Sequence, residues 1–440
     1  MSSLAVIGSG ISGLGAAWFL RHRYDLTIFE AADHIGGHTH TVTVDEEGRA
    51  VPIDTGFMVF NHVTYPHLTR LFDTLAVPTK RTDMSFSVQH GPRDLEYRGS
   101  SLNTLFAQRR NLFRPSFYRM LLQIDRFNRE ALAALDDPAL HNLTLDEYVS
   151  RRGYGEDFLR LYLLPMSSAV WSTPPAQMRR FPATTLLRFF HNHGFFGLHT
   201  QHPWWTVEGG AQEYVRRLTA PLRERIHVST PVRAVRRLPA GGVEISTDTT
   251  TARFDQVIFA CHAPAALVLL GADATAEERR LLGAFRYQPN RVTLHTAATV
   301  MPRTRLAWSA WNYRLDAPAG AAADDNALRV STHYWMNRLQ GVSDRRHYFV
   351  TLDGEHLLPP DAVLRRFDEE HPLFDLAAVQ AQPGIPELNA AAIGRSETYF
   401  AGAWQRYGFH EDGLLSAHTL ATLLLGHDAW DTALDGTRRT

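Results

Sequence analysis

The opening thirty residues constrain this chain more than any other stretch. Leu4–Ile7 is a short apolar run of strand type, and it leads directly into Gly8-Ser9-Gly10-Ile11-Ser12-Gly13. A helix-like segment, Leu14–Leu20, follows, and then a second apolar run, Leu26–Phe29, that ends on an acid, Glu30. Strand, glycine turn, helix, strand is how a doubly wound parallel sheet begins. Gly8 permits the tight turn, Gly10 lets the backbone approach a pyrophosphate, and Gly13 lets the helix pack on the strand. Ile11, Ser12 and Gly13 open the helix, so its free N–H groups and positive dipole end suit phosphate. Glu30 stands where a carboxylate accepts from a ribose 2′-hydroxyl and repels a 2′-phosphate. A dinucleotide without that extra phosphate is the expected ligand.

Composition narrows the class. With 440 residues the chain is long enough for about two or three cores. Its formal net charge of −1 provides no field that would draw nucleic acid. Cys261 is the only cysteine, which excludes intramolecular disulfides and Cys-rich metal or iron–sulfur sites and fits a reducing cytoplasm. Lys80 is the only lysine, so lysine chemistry has almost no candidates. Apolar stretches are interrupted well before the roughly 18 residues a spanning helix needs. A cofactor motif beginning at Gly8 is incompatible with removal of a leader across it. The expected location is therefore the cytoplasm, with a peripheral position at the inner membrane face kept open.

Along the chain, residues 68–198 have mainly helical periodicity, as in Leu105–Phe127 and Asp146–Leu164. Strand patterns return at Ile226–Val228, Val232–Val235, Val243–Ile245 and Val257–Ala260. Arg291–Val300, Leu328–Thr332 and Tyr348–Leu352 are expected in a second sheet, and Pro318–Asp325 in a loop. Thr398–Gly402 is a last strand and turn, and Leu414–Leu425 a closing helix. The expected architecture is α/β (α+β overall): a discontinuous Rossmann-like cofactor domain of residues 1–70, 205–265 and 390–430. A substrate domain of mixed sheet plus helical insertion takes 71–204 and 266–389.

Further motifs follow in order: Gly36-Gly37-His38-Thr39, Asp54-Thr55-Gly56-Phe57, Thr230-Pro231-Val232, and Phe400-Ala401-Gly402 through Asp412-Gly413-Leu414-Leu415-Ser416. Together with the first turn they resemble the FAD motifs of the amine oxidase, protoporphyrinogen oxidase and phytoene desaturase superfamily, from near residue 4 to near residue 425. The resemblance implies FAD as cofactor, contacted by Gly36, Gly37, Thr39, Gly56, Phe57 and Gly402. It implies that the Val232 backbone meets the adenine, and that a second helix N-terminus, at Gly413 and Leu414, faces the flavin. Where the superfamily commonly has arginine this chain has His38, read as a replaced phosphate contact. Trp171–Pro175, Tyr287–Asn290, Tyr334–Gln340 and Tyr407–Gly413 resemble a narrower bacterial branch of NAD/FAD-binding amine-oxidase-like proteins. That branch is similar to flavoproteins linked to fatty acyl modification, and the resemblance implies a lipid substrate.

The superfamily's amine oxidases often carry a substrate-domain lysine. The matching stretch here, Tyr287–His295, has Asn290 and Arg291 instead. His410 occupies a position of the closing motif near the flavin and is the candidate catalytic residue, since histidine titrates near neutrality; a loop-fixing hydrogen bond is its alternative role. Trp404, Tyr407 and Phe195 are expected pocket walls, Phe195 within the aromatic run Phe189–Phe196. The histidines between His191 and His202 lack a ligand spacing with supporting carboxylates, and no metal is expected. FAD-dependent desaturation of an apolar, fatty acyl substrate is the leading expectation. Amine oxidation and redox-neutral double-bond isomerisation are the alternatives, and escort proteins for lipidated GTPases share the architecture without flavin catalysis. No second glycine turn follows the first, so a separate electron acceptor is expected. Leu105, Phe106, Leu112, Phe113, Phe117, Leu121 and Ile124 interleave with Arg109, Arg110, Arg114, Arg119 and Arg126. This suits either a membrane-interface segment or a helix pair with a solvated arginine face.

Overall fold

The structure, a computed structural model, describes residues 1–197, 200–317 and 328–435. The expected loop Pro318–Asp325 lies outside them, as does His199 of the histidine run. Ser3–Ile7 is the middle strand of a five-stranded parallel sheet, ordered Thr398–Phe400, Gln256–Phe259, Ser3–Ile7, Asp25–Phe29, Ile226–His227. The strands are apolar runs with little alternation because layers cover both faces. Every residue of the helix Ile11–Leu20 is buried. It is wedged between this sheet and the helix His410–Leu425, whose Leu414 and Ala417 lie against Gly15.

A seven-stranded sheet forms the second layer, ordered Val363–Leu373, Arg286–His295, Phe349–Leu352, Arg329–Trp335, Trp311–Asp316, Phe86–His90, Leu95–Arg98. All its pairs are antiparallel except Trp311–Asp316 with Phe86–His90. Val232–Arg237, Val243–Thr247 and Thr251–Phe254 make a separate three-stranded antiparallel sheet. The helices between residues 102 and 192 pack around their own apolar centre, with Phe127, Phe158, Leu186 and Phe190 fully enclosed.

Some expectations change. The stretch from 68 is not all helical. After the helix Pro66–Thr74 come the strands Thr79–Thr82 and Phe86–His90, which find partners far along the chain in Trp204–Val207 and Trp311–Asp316, and Leu95–Arg98, which pairs back on Phe86–His90. Leu105–Phe127 is not one helix: Pro115 cannot continue a helix but suits its first turn, and the long helix is Pro115–Leu135. Asp146–Leu164 is interrupted around Gly153 and Gly155, giving Leu145–Arg151 and a new start at Glu156. Arg291–Val300 is a strand only as far as His295, and Ala298–Val300 is a 3₁₀ turn.

Candidate active site

The glycine turn lies at the carboxyl end of the middle strand, where open α/β sheets bind ligands. Gly8 has φ +106°, a conformation that side chains rarely adopt, and a Cβ on Gly13 would stand 1.9 Å from the Gly8 carbonyl oxygen. A Cβ on Gly10 would meet nothing within 4 Å, so this backbone faces open space. The helix that follows has no capping side chain and no acid in its first turn, which leaves its positive end for an external anion. Glu30 Oε2 accepts from the Ser9 N–H (2.8 Å) and hydroxyl (2.6 Å), and Oε1 from the Ala32 N–H (2.8 Å). These bonds fix the carboxylate beside the turn. The open cradle, the uncapped helix and the fixed acid together fit the adenosine diphosphate half of FAD.

A cavity of about 1210 Å³ starts at this turn and continues to the helix Pro115–Leu135. That exceeds the usual range of about 300–1,000 Å³ for a single small-ligand site. Gly8, Gly10, Ile11, Ser12, Glu30, Gly36, Gly37, His38, Gly56, Phe57, Gly402, Trp404, Tyr407, His410 and Phe195 all line it. Gly13, Thr39, Val232, Gly413 and Leu414 do not. Gly13 packs inside the turn, and Thr39 stands behind the wall, bonded to Tyr214 and His410. Val232 opens the separate antiparallel sheet, two residues beyond the Thr230 N–H that donates to the Glu30 carbonyl. Gly413 and Leu414 are helix–helix packing residues: a Cβ on Gly413 would stand 2.7 Å from Ile11 Cγ2, and Leu414 is fully buried against Gly15. The N-terminus of that closing helix already carries Glu411 and Asp412. Asp412 accepts from the Phe409 N–H, and Glu411 from the N–H groups of His67 and Leu68.

His410 is locked in place. Its Nε2 lies 2.8 Å from Thr39 Oγ1 and 3.0 Å from the Tyr214 hydroxyl, and its ring stacks on Phe57 at 3.8 Å. Burial, with a smaller contribution from the neighbouring charge of His38, pushes its pKa down to about 3. A neutral imidazole held this way orients Phe57 and the closing turn, so the geometry favours the loop-fixing role over proton transfer. The Trp404 indole donates to the Cys261 carbonyl (3.2 Å), and the Trp171 indole to the Tyr407 carbonyl (3.0 Å), tying the helical segment to the closing turn. Cys261 lines the cavity, but burial raises its thiol to about 12, so it is no nucleophile.

Sequence reasoning missed the strand Val363–Leu373, which supplies Asp368, Glu369, Glu370 and His371 to the wall. His38 Nε2 reaches the Glu370 carbonyl (3.1 Å), and His262 Nδ1 the Glu370 carboxylate (3.2 Å). His371 Nδ1 pairs with Asn290 Oδ1 (2.8 Å), while Asn290 Nδ2 donates to Asp353 (2.7 Å) and the Ser172 carbonyl (3.1 Å). Asn290, in the stretch Tyr287–His295, is thus an amide bonded at both its oxygen and its nitrogen, beside a buried histidine, His371, whose pKa burial lowers to about 3. The aromatic run divides its work. Phe189 and Phe195 line the cavity, whereas His193 is fixed by the Phe189 carbonyl (2.9 Å) and Thr64 (3.1 Å). Among the described residues no cluster of His, Cys, Asp and Glu could hold a metal ion.

Beneath the cavity the helical segment contains a π-helical turn, Leu159–Leu163, just before Pro165. Pro165 has no N–H for the Leu161 carbonyl, and the Tyr97 hydroxyl donates to that carbonyl instead (2.5 Å). Tyr162 and Met166 on this bent segment face the cavity.

The model of the family described as flavin containing amine oxidoreductase matches residues 11–425. A carotenoid phi-ring synthase of Streptomyces griseus is 25% identical over 285 residues, 61% of this chain, and this chain spans about half (54%) of that protein's length. Two solved structures share the fold across nearly the whole chain. Cyclohexylamine oxidase from Brevibacterium oxydans is 15% identical with a TM-score of 0.66, covering 99% of each chain. A CLA-producing fatty acid isomerase from P. acnes is 16% identical with a TM-score of 0.65, covering 94% of this chain and 97% of its own. With the dinucleotide cradle, the ordered motifs and a family match from the first helix to the last long one, the chain belongs to the flavin-containing amine oxidoreductases and is an FAD-dependent oxidoreductase.

Proposed function

We propose that this flavoprotein dehydrogenates an elongated, largely apolar substrate of the fatty acyl class, whose hydride passes to FAD while a second hydrogen leaves as a proton. The observation that carries this reading is the wall of the cavity beyond the cofactor cradle, which is built from Leu121, Ile124, Met166, Val170, Phe189 and Phe195. Bound FAD supplies the two-electron acceptor, and the chain supplies orientation and exclusion of water. An ammonium substrate would gain from a free carboxylate or from an aromatic cage, and of these two the carboxylates of this wall are engaged. Asp83 pairs with Arg338 (2.5 Å), Asp368 with Arg291 (2.8 Å), Glu370 with His262, and Glu369 lies 3.4 Å from His38. The bonded amide of Asn290 gives a further reason to set amine oxidation second.

The test is anaerobic mixing of the purified yellow protein with detergent-dispersed fatty acyl lipids or with primary amines. Acyl lipids are expected to bleach the flavin absorbance, with an unsaturated product. Bleaching by amines alone would overturn the reading. Conversion of an unsaturated lipid to a positional isomer with no net bleaching would replace dehydrogenation by isomerisation.

A further inference from the structure

Large apolar side chains that face solvent gather on one part of the surface. Leu102 (77% exposed), Phe113 (85%) and Leu122 (69%) stand out there, with Leu112 and Tyr118 between them. The Tyr118 hydroxyl donates to the Leu112 carbonyl (3.1 Å), and its ring lies 5.8 Å from that of Phe106, so these residues form one continuous face. It is not the face the sequence pattern suggests. Phe117 is buried, and Leu121 and Ile124 line the cavity, while Tyr118 and Leu122 on the same helix point outward. A helix covering a core needs one apolar stripe. This one has two.

The rim is basic. Arg109 is held by Asn103 Oδ1 (2.7 Å) and the Phe106 carbonyl (2.9 Å), and among the described residues neither it nor Arg119 meets a carboxylate. Arg110 and Arg303 both pair with the single carboxylate of Asp94. The cavity also reaches this face. Gly99 and Ser100, both exposed, line it just ahead of Ser101 and Leu102, and Leu105 and Leu121 line it from the segments that carry the exposed side chains.

We propose that this face seats in the interface of an anionic lipid bilayer, with Leu102, Phe113 and Leu122 among the acyl chains and Arg109 and Arg119 at the headgroups. The opening at Gly99–Ser100 then receives an acyl chain directly from the bilayer. Docking stands on the surface itself, and only the delivery rests on the apolar-substrate reading. Charge complementarity selects the anionic surface, because an apolar face rimmed by unpaired arginines gains from both acyl chains and negative headgroups.

Flotation of the FAD-loaded full chain with phosphatidylglycerol–phosphatidylcholine vesicles tests this, with phosphatidylcholine alone as comparison. Wild type is expected to float with the anionic vesicles. Phe113→Ser with Leu122→Ser, and separately Arg109→Glu with Arg119→Glu, should lower partitioning by about 10-fold or more with the flavin spectrum unchanged. Val268→Ser, at an exposed valine elsewhere, should float like wild type. Wild type that stays unbound, or either double variant floating as well as wild type, overturns the proposal. So does a wild-type dimer that the Phe113/Leu122 variant dissociates, with no vesicle binding. Failed flotation with acyl bleaching intact removes only the docking; flotation without acyl bleaching removes only the substrate reading.

Discussion

His410 shows how a motif position and its surroundings can point to different chemistry. Its sequence context places it in the closing turn, but burial keeps it neutral, and hydrogen bonds to Thr39 and Tyr214 and a stack on Phe57 hold it in place. A glutamine reaches similar partners without any titration. His410→Gln should therefore keep the flavin spectrum and turnover within about 10-fold of wild type, with an unchanged pH profile between about pH 6 and 9. Positioned proton transfer contributes about 100-fold or more, so a loss of that size with an altered profile would return His410 to a catalytic role. Asn290 and His371 show the limit of sequence reading at this scale. Their hydrogen bond joins neighbouring strands whose residues are 81 positions apart, and neither residue type announces the other.

At the scale of elements, the N-terminus of the helix His410–Leu425 carries a pH dependence. Burial raises the Asp412 carboxyl to about 7, against its ordinary 3.8. From about pH 4 to 7 the folded chain keeps this proton and the unfolded chain releases it. Its contribution to stability is full below the unfolded pKa and is lost as pH rises through 7. Thermal unfolding followed from about pH 4.5 to 7.5 should show wild type losing stability across that window, and Asp412→Asn losing less. Equal slopes would mean that the carboxyl is already ionised in the fold. The elements themselves were unevenly legible. The glycine turn and the strands flanking it could be read because buried parallel strands are short apolar runs and the turn chemistry is local. Val363–Leu373 was invisible because it is an edge strand in which no residue is fully buried, and its charged sequence has no apolar alternation. Thr79–Thr82, with Lys80 and Arg81, is a strand only because Trp204–Val207 pairs with it.

At the scale of the whole molecule, the described residues contain one parallel sheet with one dinucleotide turn. Electrons taken up by the flavin are therefore expected to leave to oxygen or to a separate carrier. NADPH mixed anaerobically with the protein should leave the flavin oxidised over the time in which substrate bleaches it, and rapid stoichiometric reduction would overturn this. The same sheet also sets the order in which the protein can be completed. Its edge strand, Thr398–Phe400, follows the middle strand Ser3–Ile7 by about 390 residues, and Leu414 of the next helix is what closes over Gly15. At about 5–20 residues per second on the ribosome, the glycine turn waits on the order of tens of seconds for these partners. The part of the chain that announces the cofactor is translated well before these partners, and it becomes a finished binding site only when they arrive. FAD capture then waits for the closing segment, and the apolar strand Ser3–Ile7 and helix Ile11–Leu20 must be kept from aggregating until it arrives.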